Sequence, residues 1–202
     1  MSTISSDRLL HDARGGDAVA LGRLLEQYQR YLMLLAGLQI GQHLRGKVDP
    51  ADVVQETFLE AHRNFGRFAG ENEAQFVGWL RQILAANLAN VQRRYLGTHA
   101  RDVRLERQIA DSLDRSSMML EGALVAQQSS PSQQAARREQ AVLLADALAE
   151  LPPDYREVII LRHLEGLTFP QAAERMGRSV DSVEKLWLRG VTRLRRAFGE
   201  GA

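Results

Sequence analysis

Residues 168–198 read TFPQAAERMGRSVDSVEKLWLRGVTRLRRAF, and this stretch decides how the C-terminal part of the chain folds. Thr168 is followed three residues later by Gln171, which is the pattern of a capping box at the start of a helix. Gly177 supplies a turn, and Ser179 is a good N-cap for a second, longer helix. A short helix, a glycine turn and a long helix together predict a helix-turn-helix unit.

The long helix of this unit is predicted to be amphipathic. The short helix offers Ala172, Ala173 and Met176 for packing. Apolar residues recur every three or four positions along the long helix, so they share one face, which is expected to pack inward. They are Val180, Val183, Trp187, Val191, Leu194 and Phe198. In such units the early residues of the second helix reach base edges in the major groove, and the later ones contact phosphates.

The sequence therefore predicts a DNA-binding surface on the opposite side of this helix. We expect base reading by Asp181, Ser182 and Lys185. Contacts with the DNA backbone are expected mostly from Arg189, Arg193, Arg195 and Arg196. The alternative is a generic helical hairpin with a solvated basic face.

The rest of the chain is also predicted to be helical, so the expected fold class is all-α. Helix-forming residues dominate, and runs of β-branched residues are scarce. Asp17 is expected to cap one helix, Asp49-Pro50 to open a second, and residues 73–95 to form a third. The glycines within residues 37–50 indicate a break.

Residues 97–132 differ from their surroundings, because they are polar and end in the run QQSSPS. That composition is typical of a linker, within which Met118, Met119 and Leu120 allow one short amphipathic helix. The sequence thus predicts two small helical domains, at residues 6–96 and 133–198, joined by a flexible linker at residues 97–132.

Composition argues against several function classes. The 202 residues carry 26 basic and 25 acidic side chains, so the net charge of +1 gives no global argument for nucleic acid. There is no cysteine, and the five histidines lack metal-ligand spacing. We therefore expect no metal, no cofactor and no catalytic residues, and hence no enzyme. Without a signal-peptide core or a membrane-length apolar run, a cytoplasmic protein that does not insert into membranes is expected.

Two blocks of the chain resemble one family. The run LPPDYREV at residues 151–158, continued by EGLT at residues 165–168, resembles region four of the extracytoplasmic-function group of sigma-70 factors. The run DVVQETFLEA at residues 52–61 is similar to the region-two helix of that group. Several further residues resemble the promoter-melting segment of the same group. They are FAGE at residues 68–71, Phe76, Trp79-Leu80, NLA at residues 87–89 and Arg93-Arg94. The resemblance covers most of the chain except residues 97–132.

The resemblance implies a sigma factor that binds core RNA polymerase, recognises −35 and −10 promoter elements and aids strand opening. The implied partners are the β′ coiled coil and the β flap of the polymerase core, promoter DNA, and an anti-sigma factor or another regulator. Asp52, Gln55 and Glu56 share one helix face and are expected to dock on the polymerase. Asn72, in the loop at residues 69–74, is expected to contact a flipped base.

Other residues of the first block are implied in strand opening. The displaced strand is expected to follow the basic groups Arg63, Arg67, Arg81, Arg93 and Arg94. Phe65, Phe76 and Trp79 fit a hydrophobic core better than base contacts. In the recognition helix, Trp187 and the pair Arg189-Gly190 depart from the family pattern.

Two other functions remain open from the residues alone. One is a regulator that uses only the helix-turn-helix and binds an operator as a dimer. The other is a helical interaction protein without DNA affinity. The region-two resemblance favours the sigma factor over both.

Overall fold

The structure is a computed structural model that describes residues 5–44, 46–96, 103–122 and 131–199. Within these ranges the side chains of residues 41–44, 96, 103, 121–122, 131–138 and 198–199 are not described. Every regular element in the described ranges is helical, which confirms the all-α prediction. The chain divides into two compact units, Met1–Ser117 and Met118–Ala202. None of the described helices is both long and apolar enough to span a bilayer.

The first unit is built from five helices and most of a sixth. In chain order these are α1 (Ser6–Arg14), α2 (Ala18–Gln27), α3 (Gln29–Leu44), α4 (Pro50–Asn64), a 3-10 turn (Phe65–Arg67), α5 (Glu73–Leu96) and α6 (Val103–Gly122). The predicted caps are confirmed. Asp17 accepts hydrogen bonds from the amides of Val19 at 2.8 Å and Ala20 at 3.0 Å, and Asp49 accepts one from Ala51 at 2.9 Å.

Helix α3 passes through the break predicted for residues 37–50, so that prediction is wrong for residues 37–44. Leu32, Leu35 and Ala36 are fully buried in this helix, and Ile40 is buried one turn later. The stabilisation from this packing outweighs the cost of placing glycine in a helix, which is about 1 kcal/mol per residue relative to alanine.

Helix α6 lies inside the segment predicted as a flexible linker, so that prediction is corrected for residues 103–117. Ile109 and Leu113 are buried, and polar contacts join the helix to α3 and α5. Met118 and Met119 are exposed, while Leu120 is buried. The flanking residues 97–102 and 123–130 lie outside the described residues.

The second unit holds the remaining helices and the predicted helix-turn-helix. It contains α7 (Pro131–Ala149), α8 (Pro153–Ile159), a π turn (Ile160–Leu164), α9 (Phe169–Met176) and α10 (Val180–Gly199). The capping box of Thr168 and Gln171 is present, and Gly177 ends α9 with φ of 61°. Ser179 accepts a hydrogen bond from the amide of Ser182 at 3.3 Å, as expected of an N-cap.

Candidate nucleic-acid interface

Helix α10 packs closely on α8, and Gly190 makes that approach possible. A Cβ atom at this position would lie 3.1 Å from Ile159 Cδ1 and 3.2 Å from Tyr155 Cβ, which is tighter than ordinary packing. The departure from the family pattern at Arg189-Gly190 therefore has a structural cause. The glycine lets the two helix backbones approach, and α8 thereby fixes which face of α10 points outward.

The inner face of α10 agrees with the prediction in its middle and differs at its start. Val183 is fully buried, and Val191 and Leu194 are half-buried. Val180 is 39% exposed, so its assignment to the inner face is wrong; it lies in the first turn, before the helix reaches α8. The side chain of Phe198 lies outside the described residues. Leu186, which was not predicted, is half-buried.

Trp187 is half-buried at the edge of this face and makes specific contacts. Its Nε1 atom donates a hydrogen bond to Nε2 of His163 at 2.9 Å. Its ring also meets the edge of Phe169, with centroids 5.6 Å apart. Trp187 thus links α10 to the π turn and to the start of α9, which accounts for a large aromatic residue at this position.

The outer face of α10 carries most of the side chains predicted to bind DNA. Asp181, Lys185, Arg189, Arg195 and Arg196 are exposed, and Ser182 is half-buried at the margin. Three exposed residues of this face were not predicted: Glu184, Leu188 and Thr192. Their spacing from Asp181 or Lys185 by three or seven residues was the available signal.

Three of the charged residues on this helix have partners within the second unit. Asp181 and Lys185 form an exposed ion pair at 2.7 Å, of a kind that contributes only about 0.3–0.5 kcal/mol. This weak pair therefore leaves both side chains available for other contacts. Arg193 lies over the ring of Tyr155, with its guanidinium carbon 5.5 Å from the centroid. It is therefore placed at the flank of the surface, next to α8.

In the first unit, α4 presents the three residues predicted to dock on polymerase. Asp52, Gln55 and Glu56 are all exposed. The other side of α4 is fixed, because Thr57 donates to Val53 O at 2.8 Å and accepts from Asn87 Nδ2 of α5 at 3.2 Å. Asp52, Gln55 and Glu56 form an exposed stripe along α4, and it extends to Leu59, which is 46% exposed and was not among the residues predicted to dock.

A groove of about 420 Å³ runs beside this stripe, between α4 and α5. Asp52 and Glu56 line it together with Asn90 and Arg94. Arg94 and the half-buried Arg93 were predicted to contact DNA, whereas Asp52 and Glu56 were predicted to dock on polymerase. Arg94 nevertheless lines the same groove as these two acidic residues. The guanidinium of Arg93 donates to the side chain of Asn90.

The loop before α5 places Asn72 in a role that the sequence analysis did not foresee. Its side-chain oxygen accepts a hydrogen bond from the amide of Gln75 at 3.0 Å, so Asn72 caps α5. The loop also borders a second groove of about 350 Å³, with His11 and Arg14 of α1 and with Glu71. Asn72 remains exposed at this groove.

The aromatic residues of this region pack against one another. Phe65, Phe68, Phe76 and Trp79 have ring centroids 5.0–6.3 Å apart, and Phe76 is fully buried. The expected core role is confirmed for Phe76, and the other rings complete the same cluster. The ring of Tyr28 lies tilted against Phe76, and its hydroxyl donates to Glu73 at 2.6 Å; burial and this bond raise the pKa of Tyr28 far above its usual value.

Arg81 contacts helices α3 and α6 through its guanidinium group. Its Nε atom pairs with Asp114 of α6 at 2.8 Å, and its Nη1 atom lies 3.4 Å from both Tyr31 Oη and Ser117 Oγ. Burial lowers the pKa of Arg81, but Tyr31 and Asp114 outweigh burial and raise it. Arg81 was predicted to contact the displaced strand, and in the structure its guanidinium is engaged within the first unit, where it holds α6 in place.

The described residues hold no group of three or more histidine, aspartate or glutamate side chains that could bind a metal ion.

Several known proteins are similar to this chain in sequence. The family model described as "Sigma-70, region 4" matches residues 141–194. The RNA polymerase sigma factor CarQ of Myxococcus xanthus is 31% identical over 149 residues, which are 74% of each chain. The ECF RNA polymerase sigma factor BldN of Streptomyces coelicolor is 28% identical over 196 residues, which are 96% of this chain and 66% of BldN.

A solved structure, that of CnrH in complex with the cytosolic domain of CnrY, is 24% identical with a TM-score of 0.35, covering 98% of this chain and 100% of CnrH. The relatives align with both units, so a regulator that uses the helix-turn-helix alone is not favoured. The chain belongs to the extracytoplasmic-function group of sigma-70 RNA polymerase sigma factors, which are DNA-binding regulatory subunits for promoter-specific transcription initiation.

Proposed function

We propose that the two units of this sigma factor divide promoter recognition between them. The second unit reads the upstream, −35-like element as a duplex through α10. The first unit docks on core polymerase through α4 and contacts the −10-like element once the strands separate.

The observation that carries the proposal is the outer face of α10. Lys185, Arg189, Arg195 and Arg196 are exposed on the side of the helix opposite the buried Val183 and Gly190. A recognition helix needs this arrangement, in which basic groups reach phosphates while the inner face keeps the helix in register. Arg178 supports the geometry by pairing with Asp154 at 2.6 Å, which ties the turn before α10 to α8.

Docking on polymerase is supported by the stripe along α4. Its acidic members Asp52 and Glu56 suit a basic partner surface such as the β′ coiled coil, and Gln55 adds a hydrogen-bonding group. Leu59 provides an apolar contact at the end of the same stripe. The bond between Thr57 and Asn87 fixes α4 on α5, so the stripe is presented on a rigid support. In this proposal the second unit binds the β flap of the polymerase core.

Contact with the opened strand is proposed at the groove beside Asn72. The side-chain oxygen of Asn72 is used in capping α5, so its amide nitrogen is the group that we assign to a base edge. His11 and Arg14 line the same groove and could approach a phosphate. Arg94 is proposed to guide the strand from the groove between α4 and α5.

The proposal is tested by run-off transcription with purified core polymerase and a genomic promoter library. Core enzyme with this chain should start transcripts at a discrete set of sites, and core enzyme alone should not. The chain should also bind core in a one-to-one complex. A chain that binds an operator duplex as a dimer and gives no start sites with core would contradict the proposal.

A further inference from the structure

One apolar side chain lies on the outer face of α10. Leu188 is 62% exposed, whereas Val183 on the inner face is fully buried. Leu188 follows Lys185 by three residues and precedes Thr192 by four, and both neighbours are exposed. Residues at these spacings share one side of a helix. Leu188 therefore lies in the middle of the surface proposed to face DNA, away from the packed side of the helix.

We propose that Leu188 is a specificity-determining residue that contacts the C5 methyl group of a thymine in the major groove of the upstream element. This inference rests on the proposed function, because it requires α10 to enter that groove. Thymine is the only one of the four bases that presents a methyl group there. A leucine side chain has no hydrogen-bonding group, so among base edges the thymine methyl is its favourable partner.

The neighbouring side chains leave Leu188 accessible. The Thr192 hydroxyl donates to the carbonyl oxygen of Leu188 at 2.7 Å and is occupied within the helix. Lys185 Nζ bonds to Asp181 at 2.7 Å, one turn closer to the start of α10, and so it points away from Leu188. Arg189 and Arg196 are exposed and placed to bind phosphates, which would bring Leu188 against the base edges.

The experiment uses the full chain bound to core polymerase, at limiting concentrations of this holoenzyme. Initiation from a library with a randomised upstream element first gives the preferred base at each position. Each preferred thymine is then replaced by deoxyuridine, which removes only the methyl group. We expect one position to lose roughly fourfold in initiation, the factor that corresponds to burial of about one methyl-sized group. With Leu188→Ala, thymine and deoxyuridine at that position should give equal initiation.

Leu143→Ala is the matched control, because Leu143 is a 50%-exposed leucine on α7. This variant should keep the fourfold difference between thymine and deoxyuridine. If the wild-type holoenzyme starts discrete transcripts but Leu188→Ala keeps the difference, or no thymine shows one, the inference is overturned while the proposed function stands. If the wild type starts no discrete transcripts, the proposed function fails and the inference falls with it.

Discussion

Trp187 Nε1 donates a hydrogen bond to His163 Nε2 over 2.9 Å, and the two rings stack with centroids 6.1 Å apart. Because Nε2 accepts this bond, it must be unprotonated in the folded second unit. Burial and the neighbouring Arg162 guanidinium lower the pKa of His163 below its usual value of 6.5. The bond joins the π turn to the middle of α10, so protonation of His163 acts on the helix proposed to read DNA.

Acidification is therefore expected to destabilise the second unit. His163 binds a proton at a higher pH in the unfolded chain than in the folded one. The stabilisation from neutral His163 is thus fully present above about pH 6.5 and is lost as the pH falls through the lowered folded pKa. Urea unfolding at about pH 7.5 and about pH 5.5, followed by Trp187 fluorescence in a Trp79→Phe background, measures the change.

His163→Gln is the control for this prediction. Glutamine keeps a hydrogen-bond acceptor near Trp187 but does not titrate, so the acid-induced loss should be smaller in this variant. Equal losses in both proteins would assign the acid sensitivity to other groups.

The exposed stripe on α4 is expected to hold the polymerase. Replacing Asp52, Gln55 and Glu56 together with alanine should weaken core binding and leave thermal unfolding unchanged. The loss should exceed the value of under about 1 kcal/mol typical of an exposed ion pair, because docking removes water from the partners. A fluorescence titration with core polymerase measures the affinity.

A matched variant changes Glu26 and Gln29, which are also exposed in the first unit. Glu26→Ala with Gln29→Ala should bind core like the wild type. Equal affinity of all three proteins would move the docking surface away from α4.

Helix α6 is expected to depend on its polar contacts with α3 and α5. Asp114→Ala leaves Arg81 without its ion-pair partner, so α6 should open more often and expose Arg107 and Arg115 to trypsin. Limited proteolysis followed by mass spectrometry measures cleavage within the helix. Asp111→Ala, which changes an exposed aspartate on the same helix, should leave the cleavage rate unchanged. Equal rates in both variants would mean that the Arg81–Asp114 ion pair does not hold α6 in place.

Helix ends could be predicted from the sequence because the interactions that fix them are local. Asp17, Asp49 and Thr168 each bond to amides within three residues, so a short pattern contains the whole interaction. The structured part of α6 could not be predicted in this way. Tyr31 meets Ser117 across 86 positions, and no short pattern in the polar segment at residues 97–132 indicates that contact.

The residues of the candidate site could also be predicted only in part. Spacing along α10 placed Lys185 and Arg189 correctly on the outer face. Leu188 has the same spacing but was passed over, because only polar and charged side chains were assigned to the DNA-binding surface. Asn72 was predicted from its chemistry as a base contact, but its backbone position at the start of α5 also makes it a cap.

The two roles of Asn72 are separable by substitution. Asn72→Ala should lower the stability of the first unit by about 1 kcal/mol through loss of the cap. Asn72→Ser keeps a capping oxygen but removes the amide nitrogen proposed to bond a base. Both variants should form closed complexes normally and show weaker permanganate reactivity of melted thymines. Normal melting by Asn72→Ser would restrict Asn72 to its role as a cap.

Lys185 and Arg196 are expected to contribute to DNA binding in different ways. Lys185 lies in the early part of α10, and its weak pair with Asp181 can give way to a base edge. Lys185→Ala should therefore cost ~1–3 kcal/mol on the preferred upstream sequence and relax discrimination at one position. Arg196, in the last turn, should bind phosphate, so Arg196→Ala should weaken binding evenly across sequences and reduce the salt slope by about one. Titrations of the holoenzyme with preferred and altered duplexes at several salt concentrations separate the two effects. A Lys185→Ala variant that keeps its sequence preference while its salt slope falls would show that Lys185 contacts phosphate, leaving base reading to other residues on the outer face of α10.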